Sequence, residues 1–202
     1  MNDLVANNVI LASQSAVRAK LLADAGVTFE TMSSGLDEST VKQALLAEGV
    51  GPRDMADALA EGKALKVSRR RPGLVIGADQ TLDLDGQLFD KAESLDEARD
   101  RLKTLRGKTH KLHSAVVVAR DGVAVWRALS SPTLTMRPFS DAFLNGYLAR
   151  NGEDLLSSVG CYMFEGEGAQ LFSHMQGDFF AVLGLPLLDL LDYLRLQGAL
   201  ES

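Results

Sequence analysis

The sequence predicts a mixed α/β domain whose β-sheet combines parallel and antiparallel strands and is flanked by helices. Three observations predict it. Short apolar runs of β type alternate with segments of helical spacing along the whole chain. Two of the runs, 109–119 and 123–129, are joined by Asp121-Gly122, a hairpin signal that an all-parallel sheet has no place for. No repeat, low-complexity stretch or linker divides the 202 residues, so a single domain over 1–202 is expected.

The elements follow in order. Residues 8–12 (NVILA) form a buried strand that runs into Ser13-Gln14-Ser15. Val17, Leu21, Leu22 and Ala25 have helix spacing, and Gly26 is a C-terminal stop. A strand over 27–32 follows, then a loop over 33–39 carrying Asp37-Glu38. Helices are expected over 40–48 and 54–68, with Pro52 near the start of the second and Arg69-Arg70-Arg71 as a solvated helix end. Ser94 and Glu97 make a capping box that opens a helix running to Leu105, and Gly107 ends it. After the hairpin, residues 133–136 extend or follow its second strand. Ser140 caps a helix over 140–150 that Asn151-Gly152 stops. An irregular glycine-rich stretch leads to strands over 169–175 and 179–183, split by Gly177-Asp178, and a leucine-rich helix over 187–196 closes the chain.

The stretch 74–86, LVIGADQTLDLDG, stands at the centre. Its apolar run meets Gly77-Ala78 and then a carboxylate, Asp79, before a second strand-like piece at 81–84 and the turn Asp85-Gly86. An acid presented at the carboxyl end of a strand is a common α/β-enzyme arrangement, and an acid capping a turn looks the same in sequence. Ser13, Ser15 and Arg18 carry the same ambiguity. A strand, hydroxyl-bearing turn and helix start can receive a phosphate, while Ser15 alone can be an ordinary N-cap.

Composition narrows the function classes. A net charge of −6 and a pI near 5.1 make the chain a poor nucleic-acid binder. No apolar run reaches membrane-span length, and no signal-peptide pattern opens the chain. The single cysteine, Cys161, allows no internal disulfide, fits a reducing cytosol and reads as a packing residue. No Walker A motif, dinucleotide fingerprint, nucleophile elbow or zinc-site spacing is present. What remains is acid–base or metal-assisted chemistry on an anion. Glu38 and Asp79 supply carboxylates, and Arg18, Lys63 and Lys91 supply cations from separate elements.

LASQSAVRAKLL at 11–22 resembles the opening motif of the Maf family of nucleoside triphosphate pyrophosphatases. The likeness continues through LDE at 36–38, LAEGKA at 59–64, GADQT at 77–81, DK at 90–91, LRGKTH at 105–110, YLARNGE at 147–153, GCYMFEG at 160–166 and GDFFAVLGLPL at 177–187. These matches occur in family order across nearly the whole chain.

The resemblance implies a cleft between two lobes, often in a homodimer. It also implies hydrolysis of a nucleoside triphosphate to the monophosphate and pyrophosphate with a divalent cation, Mg²⁺ or Mn²⁺. Carried over by position, Asp79 is the general base. Ser13, Ser15, Arg18, Lys63 and Lys91 bind the triphosphate, and Glu38 joins Asp79 on the metal. Gln80 and Glu165 look more like the branch acting on 7-methyl-GTP than the branch acting on dTTP and UTP. A carboxylate at 165 can accept from a guanine N1–H and exocyclic amine, a donor pair that pyrimidines lack. Val17 matches neither branch closely, and Ala92 stands where a proline is common. A protein that senses nucleotides without turnover, or touches a cell-division partner, is the competing expectation.

Overall fold

The computed structural model describes residues 8–201, so the single-domain reading over 1–202 runs past these bounds at both ends. Among the described residues, eight strands form one mixed sheet and seven helices flank it. In chain order the elements are β1 (Val9–Leu11), α1 (Ala16–Asp24), β2 (Glu30–Thr31), α2 (Glu38–Ala47), α3 (Pro52–Ser68), β3 (Leu74–Leu84), β4 (Gln87–Phe89), α4 (Leu95–Leu105), β5 (Thr109–Arg120), β6 (Val123–Ser130), β7 (Thr133–Met136), α5 (Asp141–Asn151), β8 (Phe172–Gln176), α6 (Phe179–Val182) and α7 (Leu187–Leu196). Two 3₁₀ segments, Gly152–Ser157 and Glu167–Leu171, lie between α5 and β8.

The sheet order is β2-β1-β3-β5-β7-β8, with β4 on β3 and β6 on β5. Strand β1 is parallel to β2 and β3; every other pairing is antiparallel. The β5–β6 turn has Asp121 at φ 53° and Gly122 at φ 77°, the left-handed pair that a two-residue hairpin needs.

Residues 74–84 form one strand of 11 residues, not two pieces broken at Gly77. Asp79 therefore sits in mid-strand opposite Ala115 of β5, not at a strand's end. The physical reason is packing. Helix α3 presents Ala56, Ala60 and Ala64 to the sheet, all fully buried at helical spacing. It approaches so closely that a Cβ on Gly77 would stand 2.1 Å from the Ala60 carbonyl oxygen. Gly77 is there to let a helix in, which sequence reads as a turn.

The opposite face of β3 and β5 carries a ladder of apolar rungs, Ile76–Val118, Ala78–Val116 and Leu82–Leu112, interrupted once by Gln80–Ser114. The rungs above that interruption join one apolar cluster with α1 and α7, and Leu82–Leu112 joins another with α4 and α5. Each large side chain fully buried in these clusters contributes about 1.5–3 kcal/mol.

Four other expectations change. The strand over 27–32 is reduced to Glu30–Thr31, because its partner β1 offers only three residues. Asp37 and Glu38 are not loop: Asp37 caps α2 through the Thr40 N–H, and Glu38 is its first residue. The strand over 169–175 starts only at Phe172, after 3₁₀ backbone. Residues 179–182 are a helical turn, not a strand. Asp178 caps it through the Phe180 N–H at 2.9 Å, and the Ala181 carbonyl is taken by side chains of the sheet.

Candidate active site

A cleft of about 750 Å³ opens over the middle of the sheet, a volume in the usual range for small-molecule sites. All ten residues singled out in the sequence line it: Ser13, Ser15, Val17, Arg18, Glu38, Lys63, Asp79, Gln80, Lys91 and Glu165. One wall comes from the β1–α1 turn, residues 33–38 and α2. The other comes from residues 90–93 and 157–165, and residues 182–184 close the end.

The floor is a chain of three charges. Lys63 projects from the buried face of α3, where its neighbours Leu59, Ala60, Ala64 and Val67 are apolar. Its ammonium lies 2.6 Å from Asp79 Oδ1 and 3.0 Å from Glu38 Oε1. Lys63 and Asp79 are both buried and Glu38 is partly open to solvent. A buried lysine is tolerable only when paired, so the two carboxylates fix it. Each carboxylate gives one oxygen to Lys63 and keeps the other without a protein hydrogen bond among the described residues.

Arg18 leaves the first turn of α1 and crosses the end of the cleft. Its Nε donates to the Gly184 carbonyl at 2.8 Å, and Nη1 donates to Ala78 O at 3.1 Å and Ser13 Oγ at 3.3 Å. These acceptors are neutral. Desolvation lowers the guanidinium from its ordinary pKa, and the fields of Asp79 and Glu38 oppose that. Ser15 is the N-cap of α1, accepting from the Arg18 N–H at 3.4 Å, and Ser13 Oγ accepts from the Ser15 N–H at 3.2 Å. Both hydroxyls accept from protein and retain a proton to donate.

Lys91 also lines the cleft and is exposed. Loss of water lowers its pKa first, and the positive charge of Arg18 lowers it further. Among the described residues neither Arg18 nor Lys91 has a carboxylate within 4.0 Å. Two cations without a salt-bridge partner therefore line the cleft.

Glu165 is exposed on the second wall beside Met163 and Phe164 and makes no hydrogen bond or ion pair among the described residues. Gln80 has a structural task besides lining the cleft. The two protons of its amide are shared among Ser114 Oγ at 2.8 Å, Ala181 O at 2.9 Å and Val182 O at 3.1 Å. Val17 is half-buried against the apolar cluster of α1. Cys161 is fully buried, and burial pushes its thiol up from the ordinary value.

The sequence reading missed Lys42, Asp90 and Tyr162, which also line the cleft. Lys42 lies four residues after Glu38, which puts both on one face of a helix; reading Glu38 as loop hid that signal. Tyr162 bonds His110 Nε2 at 2.7 Å, a pairing across 52 residues with no local signature.

Metal-ligand capacity is limited. No group of three or more His, Cys, Asp or Glu side chains converges among the described residues. The two free carboxylate oxygens of Glu38 and Asp79 suit a hard cation that takes its remaining ligands from water and phosphate.

Residues 8–197 match the family model described as Maf-like protein. The chain is 66% identical over 192 residues to a nucleoside triphosphate pyrophosphatase of Caulobacter vibrioides, covering 95% of this chain and 96% of that one. It is 51% identical over 192 residues to a protein of that name from Paramagnetospirillum magneticum, covering 95% and 99%. The corresponding protein of Hyphomonas neptunium is 47% identical over 194 residues, covering 96% and 98%. None of the three names specifies a base.

Proposed function

The chain belongs to the Maf family, and from that premise we propose that it hydrolyses a nucleoside triphosphate to the monophosphate and pyrophosphate, with 7-methyl-GTP as substrate. The observation that carries the reading is the Glu38–Lys63–Asp79 chain, buried at Lys63 and Asp79, in one cleft with Arg18 and Lys91, two cations without carboxylate partners.

Attack on the α-phosphorus needs a nucleophilic water, a base and neutralisation of the leaving pyrophosphate. Asp79 is the base. Lys63 holds its Oδ1, so the carboxylate cannot rotate away, and Oδ2 is left to take a proton from water. Arg18 and Lys91, both on the cleft, grip the triphosphate and neutralise the charge that builds on the departing pyrophosphate. The hydroxyls of Ser13 and Ser15 donate to phosphate oxygens. Glu38 would hold Mg²⁺ or Mn²⁺ through its free oxygen, and Asp79, whose Oδ2 serves as the base, would lend its charge to the same cation. Such a cation would supply positive charge to the phosphates as a Lewis acid.

Glu165 supports the choice of base. Its free carboxylate accepts from the N1–H and amine of a guanine, and its charge suits the cationic ring of a 7-methylated purine. Val17 and Gln80 line the same cleft and are its further residues of base choice.

Pyrophosphate release from a nucleotide panel, with and without divalent cation, tests the reading. Turnover of 7-methyl-GTP above the other nucleotides, lost on chelation, supports it. Preferred turnover of pyrimidine triphosphates keeps the reaction and overturns the assignment of Glu165. Binding without turnover moves the chain to a nucleotide sensor.

A further inference from the structure

Lys42 is a cation of the cleft for which the mechanism above has no use. It shares the cleft-facing side of α2 with Glu38, one helical turn on. Its ammonium lies 2.5 Å from Asp90 Oδ1, and this ion pair crosses from the wall bearing α2 to the wall bearing Lys91. We propose that Lys42 is a further triphosphate-binding residue whose place is held by Asp90, and that the incoming phosphate displaces the Asp90 carboxylate from the Lys42 ammonium. This rests on the reading of the cleft as a triphosphate site.

Three features make the exchange favourable. The Asp90 carboxyl is 60% exposed while the Lys42 side chain is 25% exposed, so the anion returns to water at little cost and the cation stays in the cleft. Asp90 sits beside Lys91, where a bound triphosphate concentrates negative charge; a carboxylate remaining there is repelled. Asp90 is also anchored on its own wall. Its main-chain carbonyl accepts from Arg101, which donates to the Val159 carbonyl as well, so release of its side chain does not loosen the rim. Helix α2, by contrast, has no buried residue, and a small shift of it toward phosphate breaks no core packing.

The rival account is a latch that ties the two walls and touches no ligand. Calorimetric titration of the full chain with inorganic tripolyphosphate, at fixed ionic strength, separates them. Lys42→Gln is expected to weaken binding about tenfold, the size of one lost charge-assisted hydrogen bond. Asp90→Asn is expected to tighten binding about threefold, because it frees Lys42 without removing it. The double variant should bind like Lys42→Gln. A latch predicts that Asp90→Asn weakens binding as much as Lys42→Gln does, and that result overturns the proposal, as does wild-type affinity in Lys42→Gln. If Lys42→Gln does not fold, the sign of the Asp90→Asn effect alone decides. Wild-type protein that binds tripolyphosphate but releases no pyrophosphate from any nucleotide refutes the activity and leaves the Lys42 comparison standing; wild-type protein that does not bind tripolyphosphate overturns both.

Discussion

Gly77 of the central strand lies against Ala60 of helix α3 with no room for a single methyl group between them. An added Cβ would meet the Ala60 carbonyl oxygen at 2.1 Å and the Ala64 nitrogen at 2.6 Å, both backbone atoms that cannot rotate aside. Lys63 stands between those two residues on the same helix, and its reach to Asp79 depends on this approach. Gly77→Ala is expected to cost about 1–3 kcal/mol by overpacking. It should also lower kcat, because α3 must move outward and draw Lys63 from Asp79. Urea unfolding and steady-state pyrophosphate release on the same preparation check both effects.

Asp79→Asn removes the proton acceptor and keeps the shape. Turnover is expected to fall by about 10²–10⁴-fold. Nucleotide affinity measured without divalent cation should hold, since Arg18 and Lys91 are untouched. Single-turnover kinetics alongside nucleotide titration tests the pair of outcomes; full activity in the variant would remove Asp79 as the base.

Glu165→Gln keeps the size of the side chain and removes its charge. KM for 7-methyl-GTP is expected to rise about tenfold, the scale of one charge-assisted hydrogen bond, with little change in kcat. The ratio of kcat/KM between 7-methyl-GTP and UTP measures it, and an unchanged ratio would free Glu165 from any part in base choice.

His110 gives the protein a pH dependence unrelated to catalysis. It is 1% exposed, its Nδ1 has no hydrogen-bond partner among the described residues, and desolvation lowers its pKa from 6.5 to about 4. Between those two values the unfolded chain binds more protons than the folded one, so stability falls as pH falls through that window and rises as pH rises. From pH 7.5 to pH 5 the loss is on the order of 2 kcal/mol. Chemical unfolding at the two pH values should show wild type losing about that much more than His110→Gln; an equal loss in both would mean that the imidazole is hydrated in the fold.

Much of this architecture is written locally. Ser15, Ser94 and Ser140 each cap the helix they precede, because a hydroxyl at an N-cap is a signal complete within four residues. Asp121-Gly122 is equally self-contained. The misread positions are those where a distant partner decides. Gly77 resembles a turn residue until α3 is placed upon it. Residues 179–182 have strand composition, but the Asp178 cap and the pull of Gln80 and Ser114 on the Ala181 carbonyl, 101 and 67 residues away, wind them into a turn. The site residues were legible through family-like motifs and not through their contacts. Neither Arg18 with Gly184, 166 residues apart, nor Lys42 with Asp90, 48 apart, leaves a mark in local pattern.

The polar rung of Gln80 and Ser114 has a consequence for how the molecule opens. Apolar rungs on either side belong to separate cores, so the sheet is continuous in its backbone ladder and divided in its side chains. Such a division is a seam, along which two apolar cores meet at a polar rung. The cleft lies over that seam, with Ser13 and Arg18 rooted in one core and Glu165 and the residues around it in the other. A nucleotide bound there would touch side chains anchored in both cores and so act as a rivet between them.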